Sequence, residues 1–75
     1  MTIEWIETPA STRCSAIAYD SEGERILCRF RKDGVEWQYH GCPPSVWQEF
    51  SNPATSKGSF IHEQLNHHQH GPYGG

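Results

Sequence analysis

The sequence has no apolar run approaching the ~18 residues of a membrane span, and its N-terminus lacks the basic patch and apolar stretch of a secretory leader. The expectation is a soluble, cytoplasmic chain. Cysteine is scarce and never paired as C-x-x-C: Cys14, Cys28 and Cys42 are an odd set, which fits reduced thiols better than a disulfide framework. Positive charge is short too. Six Lys and Arg stand against 9 Asp and Glu, a formal net charge of -3, so the global cationic field that drives non-specific nucleic-acid binding is missing. There is no nucleophile elbow, no P-loop and no pair of carboxylates in an apolar surround, which excludes the familiar hydrolase and nucleotide-binding patterns and predicts a non-enzyme. Nor is there an internal repeat, and 75 residues hold one small domain at most, burying only about 60% of the surface of the unfolded chain.

Aromatic residues are plentiful. Three each of Trp, Tyr and Phe, spread from Trp5 to Tyr73, supply the apolar area for one core. Residues 2–7, β-branched and aromatic before Pro9, read as an edge strand. Residues 14–20 place Ser15, Ile17 and Tyr19 on one side of a strand and Ala16 and Ala18 on the other, before a turn around Gly23. Over 25–31, Ile26, Cys28 and Phe30 alternate with Leu27, Arg29 and Arg31, and Asp33-Gly34 supplies a hairpin turn. Val35, Trp37 and Tyr39 then alternate with Glu36, Gln38 and His40, so a slip of one residue would turn every large side chain outward.

Pro43 and Pro44 end the sheet pattern and suit the first turn of a helix over 44–51, with Val46, Trp47 and Phe50 as its apolar stripe and Pro53 as its stop. Thr55 and Ser56 offer cap hydroxyls for a second helix, in which Phe60, Ile61, Gln64 and Leu65 face inward and Lys57, Glu63 and Asn66 outward. The predicted fold is α+β: a small antiparallel β-meander of three or four strands followed by two short helices packed on one face, covering its Trp37 side. The domain runs over 1–66, and 67–75 is a flexible His/Gly-rich tail.

The succession Ser11-x-x-Cys14-x-x-Ile17-Ala18-Tyr19-Asp20, Ile26-x-Cys28-x-Phe30, Trp37-x-Tyr39, Pro43 and Ala54-x-Ser56-x-Gly58-x-Phe60 resembles the KTSC domain. That domain occurs as a short free-standing bacterial or phage protein and at the C-terminus of some lysyl-tRNA synthetases. The central pair, usually two tyrosines in the family, is here Trp37 and Tyr39, and the final helix carries Asn66 and His68 instead of a basic residue and an aromatic. The resemblance implies a fold more than an activity; RNA binding has been suggested for the family from its synthetase association.

Two functional readings follow. The first is a binding module for an unidentified protein partner, monomeric or weakly dimeric. It would use the mixed sheet face of Leu27, Arg29, Arg31, Glu36, Gln38 and His40, or an open strand edge. The second is an RNA-binding accessory in which Arg29, Arg31 and Lys32 contact phosphates and Tyr39 offers a stacking platform. Cross-strand pairing of Arg29 or Arg31 with Glu36 competes with it. His62, His67, His68 and His70 lack the fixed geometry of a metal site, so neither metal nor cofactor is expected. Cys28 and Cys42 sit at apolar pattern positions and read as small buried hydrophobes. Ser56 is a helix cap, and Gly58 a point of close backbone approach, to Trp47 or the sheet. The terminal Gly74-Gly75 resembles that of ubiquitin-like carriers, but strands that all precede the helices do not match their β-grasp order.

Overall fold

A computed structural model describes residues 3–73. Five strands, β1 (Ile6–Glu7), β2 (Cys14–Asp20), β3 (Arg25–Phe30), β4 (Glu36–Tyr39) and β5 (His70–Pro72), form one antiparallel sheet in sequential order. Helices α1 (Pro44–Ser51) and α2 (Lys57–Glu63) and a 3-10 turn (Leu65–His67) lie between β4 and β5. No helix of the described residues is long and apolar enough to cross a membrane. The α+β meander with two helices is as the alternation and the prolines predict, but the sheet is one strand wider and that strand, β5, follows the helices, so the expectation that all strands precede them is corrected. Thr2 and the terminal Gly74-Gly75 lie outside the described residues, and the N-terminal edge strand is confined to Ile6–Glu7.

Local chemistry accounts for these boundaries. Gly34 takes φ 74° in the β3–β4 turn, where the Gly34 and Phe30 amides donate to Phe30 O and Val35 O. In the β2–β3 turn the left-handed position falls on Glu24, at φ 50°, and not on Gly23. Pro43 and Pro44 open α1, whose missing N-terminal donors cost nothing there, and the Ser56 side chain accepts from the Ser59 amide to cap α2.

The core lies between sheet and helices: Ile17, Ile26, Cys28 and Tyr39 pack against Phe50, Phe60, Ile61 and Leu65, with Tyr19, Trp37, Val46 and Trp47 at the margin. Tyr19 stacks on Trp47 at 5.4 Å and donates its hydroxyl to Cys42 O, tying β2 to the start of α1. A register shift between Cys14 and Ala16 turns Cys14 inward beside Ile17, a bulge that strict alternation does not reveal.

Four further expectations are corrected. Residues 67–75, expected as a flexible tail, contain the end of the 3-10 turn and β5, which pairs Tyr39 with His70 and Trp37 with Pro72. Lys57, expected outside, is buried, because its amine finds the carbonyls of Asn52 and Thr55 at 2.9 and 3.1 Å. Val35 and Gln64, expected inside, are exposed, since each lies just beyond the end of its element. The second sheet face, expected to be open, carries fully buried Leu27 and Ala18. Trp5 and Tyr73, one from each end of the chain, meet edge to face at 6.4 Å on this side, with Arg29 over the Trp5 ring at 4.5 Å and Arg25 over the Tyr73 ring at 5.8 Å. Leu27 lies on the same pleat between those two arginines, under this layer of rings and guanidinium groups.

Candidate functional site

The residues expected to bind are largely occupied. Arg29 donates to the Glu36 carboxylate at 2.8 Å, the cross-strand pair the sequence suggests. Arg31 reaches back to the loop before β2, donating to Ser11 O, Thr8 O and Cys14 O at 3.0 to 3.2 Å. Gln38 accepts from Arg25 at 2.6 Å and donates to Pro72 O at 2.9 Å. The His40 amide donates to Gln69 O, and its carbonyl meets His68 Nδ1 at 2.9 Å, so it anchors the segment leading into β5. Tyr39 is 2% exposed and packs beside His70, so it offers no platform for a base. Burial pushes its hydroxyl up to about 12. Lys32 alone of the six stands exposed at a turn without such a partner among the described residues.

The concave feature lies elsewhere. Loop 8–13, between β1 and β2, faces the α1–α2 connection and the first turn of α2 across a groove of about 720 Å³. It is lined by the apolar side chains of Ile6, Ile17, Pro53 and Ala54, by the hydroxyl residues Ser11, Thr12, Thr55 and Ser59, and by the charged Glu7, Arg13 and Lys57. Ile6 is 51% exposed, on the same side of the sheet as its β2 partner Ile17.

Both walls are held by side chains bonded to backbone. On one, Thr8 Oγ1 donates to Cys14 O at 2.7 Å, Ser11 Oγ accepts from the Arg13 and Cys14 amides, and Arg31 clamps three carbonyls. On the other, Thr55 Oγ1 donates to Glu49 O at 2.8 Å and Asn52 Oδ1 accepts from the Ala54 amide. Lys57 closes that loop from inside, its amine 5.7 Å from the Phe50 ring centre, and burial lowers its pKa from the usual lysine range. The close approach expected at Gly58, to Trp47 or the sheet, is corrected: the nearest atoms to a Cβ there belong to the Arg13 stem, at 3.5 Å, in ordinary contact.

The sequence marks Thr55 and Ser56 as helix caps and Ser11 and Ala54 only as parts of the family pattern, and does not bring them together. The signal was present in Ser11, three residues before Cys14, and in the Ala54-x-Ser56-x-Gly58 run, but nothing local places one opposite the other.

The comparisons agree with the fold. The profile of the KTSC domain family matches residues 10–68, most of the chain. The crystal structure of a KTSC domain protein from Yersinia pestis is similar at 27% sequence identity and a TM-score of 0.84, covering 97% of this chain and 100% of that one. A search of curated proteins gives no match. The chain belongs to the KTSC domain family.

Proposed function

We propose that this KTSC domain is a small non-enzymatic binding module that takes an extended segment of a partner protein into the groove between loop 8–13 and the α1–α2 connection. The observation that carries the reading is the convergence of Ser11, Ile17, Ala54, Ser56 and Gly58, from motif elements far apart in sequence, on one pre-braced concavity. Its volume lies within the ~300–1,000 Å³ of ligand sites, and its mixture of small apolar side chains and hydroxyls suits a peptide backbone with small side chains. Both strand edges are poorer candidates for β-augmentation, since β1 has two residues and β5 ends in Pro72.

The test is affinity capture from lysate with nuclease treatment in parallel, using the native chain, Ala54→Arg to fill the groove, and Lys32→Ala as a surface control. A partner protein that survives nuclease, is lost with Ala54→Arg and is kept with Lys32→Ala supports the reading. A partner kept by Ala54→Arg, or released by nuclease, overturns it.

A further inference from the structure

We propose that Cys14 and Cys28 are a redox-active pair that closes to a disulfide when the protein meets a peroxide. The inference is independent of the groove's occupant. Cys14 Sγ lies 2.6 Å from Cys28 Sγ, about half an ångström beyond the ~2.05 Å of an S–S bond. The bulge creates this contact. Strict alternation along β2 would put Cys14 on the face opposite Ile17, whereas the register shift between Cys14 and Ala16 turns it onto the helix-covered face, where Cys28 stands opposite Ile17 on β3. Cys42 differs: its Sγ donates to the carbonyls of Tyr39 and His40, at 3.4 and 3.7 Å.

The surroundings divide the roles. Hydrogen bonding from Cys28 holds the Cys14 thiol below the ordinary range, helped by the charges of Arg13, Lys57 and Arg31, while the same contact and burial push Cys28 up. Cys14 is therefore the attacking sulfur and Cys28 the resolving one. Both are fully buried, but Cys14 directly follows loop 8–13, and local opening of that surface segment admits a molecule the size of hydrogen peroxide. The Cys14 thiolate attacks one peroxide oxygen; the O–O bond breaks, the leaving hydroxide takes a proton, and Cys14 becomes a sulfenic acid. The Cys28 sulfur then attacks the Cys14 sulfur, loses its proton and displaces the hydroxyl as water. The two thiols give up two electrons and two protons, and one peroxide becomes two waters.

Trypsin places the three cysteines in separate peptides, 14–25, 26–29 and 33–57, so the experiment reads directly. The native chain is treated with hydrogen peroxide, quenched, unfolded, alkylated and mapped by mass spectrometry. The expected result is peptide 14–25 linked to 26–29, with 33–57 alkylated, and the linkage reversed by dithiothreitol. Closing this loop raises the melting temperature by on the order of 10 °C. In Cys28→Ala peroxide produces no such rise; where that variant does not fold, the native peptide map decides alone. Recovery of 14–25 and 26–29 both alkylated after peroxide, or a linkage through 33–57, overturns the proposal.

Discussion

Phe50 and Trp37 show how differently two large aromatic residues hold the molecule. Phe50 is fully buried between Trp47 and Phe60, with ring centres 6.3 and 5.2 Å away, so Phe50→Ala removes a ring from a core that cannot collapse around it. The cost is about 3–5 kcal/mol, close to the whole stability of a domain this small, and the variant is expected to be unfolded at 25 °C by circular dichroism. Trp37 is only half-buried, with His70 6.1 Å from its ring and Pro72 opposite it on β5. Trp37→Ala is expected to stay folded and lose about 2 kcal/mol, measured by urea titration. Period-two spacing makes Trp37 and Tyr39 look alike, and it identified their shared face; depth along that face depends on which helix residue lies above, and strand spacing carries no such information. Lys57 was invisible for a related reason. Its charge reads as outward at its helical position, but the carbonyls that draw the amine in belong to a loop whose path only the folded chain sets.

At the scale of elements, the hairpins and helices were legible because each is specified by neighbours: alternation for β2 to β4, prolines for α1, a serine cap for α2. The chain ends were not. The His- and Gly-rich sequence of β5 has low strand propensity of its own, and it is ordered by pairing with β4, reinforced by Gln38 bonding to Pro72 O and the Tyr73 amide to Glu36 O. The same holds for Trp5, which reads as a strand residue but spends its ring as cover for Arg29 and the sheet beneath it. Trp5→Ala and Tyr73→Ala are each expected to cost about 1–2 kcal/mol, less than a core aromatic because both rings stay partly wet. The rings touch, so the double variant is expected to lose less than the sum of the two, by about 0.5–1 kcal/mol in a double-mutant cycle. Full additivity would mean that the two arms cover the sheet independently.

For the whole molecule, the question is whether its charges can hold RNA. Affinity for a polyanion follows the number of phosphates neutralised, and each neutralised phosphate contributes about 0.7 to the salt slope on a single strand. Here Arg29 is paired with Glu36, Arg25 with Asp20 at 2.5 Å, and Arg31 is spent on three backbone carbonyls. Lys57 is buried, which leaves Arg13 and Lys32 as the exposed cations without such an anchor among the described residues, on a chain of net charge -3. Two such contacts give a slope no steeper than about 1.5, too little to resist physiological salt. A mixed tRNA pool is therefore expected to show no binding by gel shift at about 150 mM salt, and Arg29→Ala to change nothing at low salt. If binding persists with a slope of about 3.5, the five contacts this takes require Arg25, Arg29 and Arg31 to leave their partners. The outer layer built on Trp5 and Tyr73 would then be a surface that rearranges on meeting RNA, and the RNA reading would displace the peptide groove. The charge count favours the groove, because a peptide needs no cationic field and finds the small apolar side chains and braced hydroxyls already in place.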